Sequence, residues 1–158
     1  MYSELGKGTT FRVYLPRVDT AAKADQPTAI LPAVPGSGTI LLVEDDEGIR
    51  HLADRVLRKA GYTMLTAGTG IEALRQLANY DGTVDLLLTD MVLPGMSGWE
   101  LAEQIAHEHP SIKVLCTSGY ADEAIMRNRV LDRGVPFIAK PYTVADLTRA
   151  VQEVLSAP

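Results

Sequence analysis

Cysteine, clustered basic charge and long apolar runs are all scarce in this chain, and each scarcity excludes a class of protein. Cys116 is the only cysteine among 158 residues, so no internal disulfide can form and a reducing compartment is expected. No apolar stretch is long enough to span a bilayer. The residues after Met1 also lack the charged and then apolar pattern of a signal peptide. We therefore expect a cytoplasmic chain without direct membrane contact.

Positive charge is too dispersed for a nucleic-acid-binding surface. The 15 Lys and Arg residues are scattered among 20 Asp and Glu residues, and the net charge is -5. Proteins that bind nucleic acid usually cluster basic residues on one face, so we expect no nucleic-acid partner. Hydrophobic residues make up 46% of the chain, which suits one globular domain with a core and an appendage. These numbers leave the oligomeric state open.

Composition and periodicity divide the chain into three segments. Residues 1–16 alternate apolar and polar side chains from Phe11 to Leu15, which predicts one half-buried strand whose partners lie elsewhere. Residues 17–38 are rich in Ala, Pro, Gly, Ser and Thr, and we expect a flexible linker there. Residues 39–157 alternate between strand and helix patterns and form the predicted domain.

Five strand-and-helix units are predicted in this domain. We expect strands at 40–43, 62–67, 85–89, 112–117 and 137–139, and helices at 47–60, 71–78, 97–108, 121–133 and 144–154. The third helix opens with a capping-box spacing, Ser97 and then Glu100. Short connections between alternating strands and helices imply a doubly wound α/β fold, a parallel sheet with helices on both faces.

Acidic side chains follow two of the predicted buried strands. The apolar run at 84–89 ends at Asp90, and the first strand ends in the cluster Glu44-Asp45-Asp46-Glu47. The carboxyl ends of parallel strands share one edge of a sheet, where ligands bind. Carboxylates brought together repel each other, and a divalent cation such as Mg²⁺ relieves that repulsion through hard oxygen ligands. The pattern thus indicates a cation site beside a reactive carboxylate.

Two further polar residues stand at strand ends on the same predicted edge. Ser118 follows the fourth strand and Lys140 follows the fifth. A hydroxyl and an ammonium can bind phosphoryl oxygens, and phosphoryl transfer needs mainly positioning and charge stabilisation. Taken alone, each residue fits a solvated loop or a turn. Their joint occurrence, in strand order, predicts phosphoryl transfer with Asp90 as the nucleophile.

These residues resemble the receiver domain of two-component signalling. The resemblance covers residues 39–157 and is carried by Ile40-Leu41-Leu42-Val43-Glu44-Asp45-Asp46, Leu88-Thr89-Asp90-Met91-Val92-Leu93-Pro94-Gly95-Met96-Ser97-Gly98, Thr117-Ser118-Gly119-Tyr120-Ala121 and Phe137-Ile138-Ala139-Lys140-Pro141. It implies a flavodoxin-like, five-stranded sheet with strand order 2-1-3-4-5.

The resemblance also implies a role for individual residues. Asp90 would accept a phosphoryl group from phosphohistidine on a histidine kinase or a histidine phosphotransfer domain. Mg²⁺ would be held by Glu44, Asp45, Asp90 and the Val92 carbonyl, with Glu44 acting through water. Ser118 and Lys140 would bind the phosphoryl oxygens, and Ser118 and Phe137 would form the switch that alters a partner-binding surface.

The first segment resembles a different family. Residues 2–16, with the pattern Gly6-Lys7-Gly8-Thr9-Thr10-Phe11, are similar to the last glycine box and final strand of a histidine-kinase ATP-binding domain. The resemblance implies that the chain is the C-terminal part of a hybrid sensor histidine kinase. Sixteen residues cannot build an ATP site. We expect no kinase activity beyond phosphoryl acceptance and hydrolysis by the chain itself.

Two other functions fit the same fold class. A flavodoxin-like module that binds a nucleotide or flavin would need a loop rich in Gly, Ser or Thr after the first strand, where this chain has acidic residues. A metal-dependent phosphohydrolase with Asp90 as its nucleophile usually carries a second Asp two residues later, and Val92 occupies that position. Both alternatives are therefore less well supported than the phosphorylated switch.

Overall fold

The structure is a computed structural model that describes residues 2–4, 8–10, 12, 14, 36–119 and 134–157. The chain divides into two compact units, residues 1–32 and residues 33–158.

The described part of the first unit is a two-stranded antiparallel hairpin. Strand β1 (Tyr2–Glu4) pairs with strand β2 (Gly8–Thr10), so that Tyr2 lies opposite Thr10. Gly8 begins β2 with a φ of 90°, a left-handed conformation that favours glycine. This hairpin was not predicted from the sequence, because three-residue strands are too short to show an alternating pattern.

The strand predicted at the end of the first segment is not seen where it can be checked. Arg12 and Tyr14 are exposed and lie outside any strand. The remaining residues of that stretch, most of the predicted linker at 17–38, and the helix predicted at 121–133 lie outside the described residues.

The second unit contains a five-stranded parallel sheet in its described part. The strands are β3 (Thr39–Val43), β4 (Thr63–Ala67), β5 (Leu86–Asp90), β6 (Lys113–Ser118) and β7 (Phe137–Ala139). Their order is β4-β3-β5-β6-β7, and every neighbouring pair is parallel. This order is the predicted 2-1-3-4-5 order, so the doubly wound fold is confirmed.

Four described helices connect these strands or follow them. They are α1 (Glu47–Lys59), α2 (Gly70–Ala78), α3 (Gly98–Glu108) and α4 (Val144–Ser156). Each helix is preceded by a capping residue whose side chain accepts a backbone N–H of the first turn. The four capping residues are Asp46, Thr69, Ser97 and Thr143. Such a cap contributes about 1 kcal/mol. The predicted capping box at Ser97 is confirmed, and the predicted bounds of these helices agree within two residues.

Alternate side chains of the central strands build a core on each face of the sheet. Ile40, Leu42, Leu86 and Leu88 pack on one face with α1 and α4, whereas Leu41, Val43 and Leu87 pack on the other face with α2 and α3. Strand β5 lies between β3 and β6 and all of its residues are buried. The core therefore fixes the position of the strand that ends in Asp90. None of the described helices is long and apolar enough to cross a membrane.

Candidate acidic site at the carboxyl edge of the sheet

Three carboxylates meet at the carboxyl edge of the sheet. Asp90 is the last residue of β5, and Glu44 and Asp45 directly follow β3, the neighbouring strand. One carboxylate oxygen from each of the three lies within 4.8 Å of the others. Glu44 and Asp90 are buried, at 3% and 8% exposure, whereas Asp45 is exposed. The cluster is therefore embedded in the protein on one side and open to solvent on the other.

Lys140 provides a positive charge inside this cluster. It is the first residue after β7, and its side chain reaches across β6 to the two central strands. The Lys140 Nζ donates to Glu44 Oε2 at 2.7 Å and to Asp90 Oδ2 at 2.6 Å. Because all three side chains are at most 16% exposed, water screens these ion pairs only weakly. One ammonium thus compensates two buried carboxylates.

The pKa values of Glu44 and Lys140 reflect both their burial and their contact with each other. Burial raises the pKa of Glu44 above its ordinary value, and the hydrogen bond from Lys140 does not outweigh that effect. Burial alone lowers the pKa of Lys140, but its bonds to Asp90 and Glu44 dominate and raise it. Lys140 is therefore charged at neutral pH, and this one ammonium lies beside a group of three carboxylates. A cation with hard oxygen ligands fits such a cluster.

Backbone contacts hold Asp90 in place. The Val92 N–H donates to Asp90 Oδ1 at 3.3 Å, and the Thr89 hydroxyl donates to the Asp90 carbonyl at 3.0 Å. The Gly98 backbone passes directly over this carbonyl. A Cβ atom at Gly98 would lie 1.8 Å from the Asp90 carbonyl oxygen, so any side chain there would force the backbone to shift. The absence of a side chain at Gly98 is therefore a requirement of the site.

The remaining predicted site residues lie on the two strands beyond β5. Ser118 is the buried last residue of β6, and its carbonyl accepts the backbone N–H of Lys140 at 2.6 Å. Phe137 begins β7 and packs, half-buried, against a cluster formed by Met91, Trp99 and Cys116. Strand pairing therefore brings Ser118 and Lys140 to the edge that holds the carboxylates, and Phe137 packs against the cluster that contains Met91, the residue after Asp90.

Cys116 lies inside the core of the sheet. It is fully buried in β6. Burial, together with the charge of Asp90, raises the pKa of its thiol to about 12. The neutral thiol is a poor nucleophile, so Cys116 acts as a small core residue.

Comparisons with known proteins agree with this architecture. Residues 40–152 match the family model of the response regulator receiver domain. The sensor kinase CckA of Brucella abortus (strain 2308) is 38% identical over 161 residues, which cover 97% of this chain and 17% of the kinase. The receiver protein CpdR of the same organism is 33% identical over 118 residues, 75% of this chain and 97% of that protein.

A solved structure supports the same assignment. A CheY-like receiver domain protein from Methanospirillum hungatei JF-1 has a TM-score of 0.68 and 31% identity, covering 76% of this chain and 94% of the other. The chain belongs to the response regulator receiver domain family. Members of this family interact with histidine kinases or phosphotransfer proteins. The match to the sensor kinase extends over nearly the whole chain, and this chain resembles the receiver region of such a kinase.

Proposed function

We propose that this chain is the phosphoryl-accepting receiver of a two-component phosphorelay. Phosphohistidine on a partner donates a phosphoryl group to Asp90 in a reaction that depends on Mg²⁺. The observation that carries the proposal is the convergence of Glu44, Asp45 and Asp90 around the ammonium of Lys140. Nucleophile, cation ligands and a positive charge for phosphoryl oxygens then lie within one small region.

Each side chain has a defined part in this reaction. A carboxylate oxygen of Asp90 bonds to phosphorus while the bond from phosphorus to the histidine nitrogen breaks, and the imidazole leaves with the electron pair. Glu44, acting through water, would hold Mg²⁺ together with Asp45, Asp90 and the Val92 carbonyl, and the ion would supply positive charge to the phosphoryl oxygens. Lys140 exchanges part of its present contact with Asp90 for the transferred group. The product is an acyl phosphate that water later hydrolyses.

Ser118 and Phe137 form the switch in this proposal. The new phosphoryl group binds the hydroxyl of Ser118 and the ammonium of Lys140, and Phe137 moves inward as Ser118 shifts. The half-buried position of Phe137, beside Met91 and Cys116, supports such a movement because the side chain is only partly enclosed. A preference of a few kcal/mol for one of two conformations is enough to shift the population strongly.

The phosphodonor is a histidine kinase or a histidine phosphotransfer domain of the cytoplasm. Large apolar side chains are exposed on the elements that begin at the acidic edge: Ile49 and Leu52 on α1, Val92 after β5, and Val144 on α4. Exposed apolar groups around a reactive carboxylate suit a docked protein. A hybrid sensor kinase is the parent protein that we propose, and the chain itself carries no kinase activity.

A nucleotide- or flavin-binding function receives less support. Such a module needs a phosphate loop rich in Gly, Ser or Thr after the first strand of the sheet. After β3 the chain instead has Glu44, Asp45, Asp46 and Glu47, which repel a phosphate in the absence of a cation.

Intact-mass measurement after incubation with acetyl phosphate tests the proposed function. With Mg²⁺ we expect the wild-type chain and the control Asp81→Asn, which changes an exposed loop residue, to gain the mass of one phosphoryl group. Asp90→Asn should gain none, and EDTA should abolish the gain of wild type and of Asp81→Asn. Labelling of Asp90→Asn at the wild-type rate contradicts the assignment of Asp90. Metal-independent labelling contradicts the cation site.

A further inference from the structure

Arg50 lies beside the acidic site but has no part in the reaction described above. It stands in the first turn of α1, and its side chain turns back toward the loop that precedes the helix. The guanidinium Nη1 donates to the Glu44 carbonyl at 2.6 Å and to the Asp45 carbonyl at 3.2 Å. These two residues supply two of the three carboxylates in the cluster. One arginine thus contacts the backbone of both.

The contacts of Arg50 supply hydrogen bonds to backbone carbonyls of a short loop. The Glu44 N–H donates to the Ala67 carbonyl at 3.1 Å, and the Asp46 carbonyl accepts the Arg50 N–H at 2.9 Å. The carbonyls of Glu44 and Asp45 lie between these two anchors and belong to neither strand nor helix. Backbone groups without regular partners need a side chain or water to satisfy them. Arg50 is the side chain that does so here.

A glycine in the neighbouring turn lies beside the guanidinium. Gly68 follows β4, and a Cβ atom there would lie 3.4 Å from Arg50 Nη1. The Gly68 N–H is bonded to Glu72 Oε2 at 2.8 Å. The guanidinium is therefore fitted between two connecting loops on the carboxyl edge of the sheet.

We propose that Arg50 is a positioning residue for the cation site, an inference that rests on the proposed function. By holding the carbonyls of Glu44 and Asp45, it fixes the backbone from which both carboxylates project. The cation then binds without first having to order the loop. Removal of a group that orients metal ligands typically weakens metal binding by about tenfold or more.

The sign of the effect separates positioning from simple electrostatics. A guanidinium close to the site repels Mg²⁺, so charge alone predicts that removal of Arg50 tightens Mg²⁺ binding. Loss of the two carbonyl contacts predicts the opposite, because the ligands lose their fixed geometry. Arg50→Met removes the charge and the donors together and keeps the length of an unbranched side chain. A single titration therefore distinguishes the two roles.

Arg58 offers a matched control on the same helix. It lies in the last turn of α1 and also bonds a backbone carbonyl, with Nη2 donating to Met64 at 2.8 Å. Met64 lies in β4, away from the acidic cluster. Replacement of Arg58 by Met should therefore affect the stability of the fold in a comparable way, without reaching the cation ligands.

Calorimetric titration of the full chain with Mg²⁺, together with urea unfolding in EDTA, tests the inference. We expect Arg50→Met to bind Mg²⁺ about tenfold more weakly than wild type, and Arg58→Met to bind it with wild-type affinity. The Glu44 amide should exchange its hydrogen faster in metal-free Arg50→Met than in Arg58→Met. Unchanged or tighter binding by Arg50→Met overturns the inference, and so does equal weakening in both variants. Failure of the wild-type chain itself to bind Mg²⁺ overturns the proposed function and this inference with it.

Discussion

Replacement of Lys140 by Met tests whether one ammonium stabilises the whole acidic site. In the structure Lys140 Nζ lies 2.7 Å from Glu44 Oε2 and 2.6 Å from Asp90 Oδ2. Methionine has a similar length but no charge, so the variant leaves two buried carboxylates with no cation between them. The two carboxylates then repel each other, and one of them is driven to take up a proton.

The expected cost follows from the burial of the three side chains. Loss of one partner from a buried ion pair costs about 3–5 kcal/mol. We expect the lower end, about 3 kcal/mol, because the side chains of Lys140 and Asp90 retain 16% and 11% exposure. Mg²⁺ should restore most of this loss, since a ligand at a concentration of 100 times its Kd stabilises the native state by about 2.7 kcal/mol. Mg²⁺ should stabilise Lys140→Met more than it stabilises wild type, because in the variant no ammonium competes for the carboxylates.

Urea unfolding in EDTA and in excess Mg²⁺ measures both effects. Lys113→Met is the matched control, because Lys113 donates to the carbonyls of Leu155 and Ala157 and begins its strand at the opposite edge of the sheet. Its loss of stability should be the same in both buffers. Unfolding of Lys140→Met at the wild-type urea concentration in EDTA would show that Lys140 does not stabilise the site. Stabilisation of Lys140→Met by Mg²⁺ to no greater extent than wild type would show that the ammonium does not compete with the cation.

Three further substitutions or modifications probe the same region. Gly98→Ala should destabilise the fold by about 1–3 kcal/mol and slow labelling of Asp90 by acetyl phosphate. Gly48→Ala in the first turn of α1 should have a smaller effect on both, because a Cβ there would meet only a side-chain oxygen, Asp46 Oδ1 at 3.2 Å. Equal behaviour of the two variants contradicts the close contact of Gly98. In EDTA, wild type should lose stability relative to Glu44→Gln as the pH rises above 4.5, as measured by the urea midpoints. The reason is that burial raises the pKa of Glu44, so its ionisation costs native stability. A difference in midpoint that does not change with pH argues against this. Cys116, whose pKa is raised to about 12, should react with iodoacetamide only in urea, and rapid labelling of the native chain would show that its thiol is accessible.

The sheet and the gathering of acidic residues were predictable from sequence because they depend on long-range rules. Buried parallel strands read as continuous apolar runs, and their carboxyl ends must share one edge. For this reason Glu44, Asp45 and Asp90 could be placed together although more than forty residues separate the first two from the third. The family resemblance supplied the order of the strands, which periodicity alone does not determine.

The individual contacts of the site were not predictable in the same way. In the sequence Arg50 is one of several basic residues on an amphipathic helix, and nothing marks it as a partner of backbone carbonyls. Gly98 follows a helix cap, where glycine has several ordinary explanations. That Lys140 contacts Glu44 as well as Asp90 depends on side-chain reach across two strands. Such features follow from the exact backbone path, which residue patterns describe only within a few residues.

The shortest strand of the sheet is also the one at its margin beside β6. β7 has three residues, and Lys140 directly after it is joined by ion pairs to residues on or beside β5 and β3. A terminal strand of this length has little pairing of its own to resist fraying, so these ion pairs fasten its end to the interior. Any event that draws Glu44 or Asp90 away from Lys140 therefore weakens the attachment of β7. A reaction at the central strands would in this way change the edge strand of the sheet.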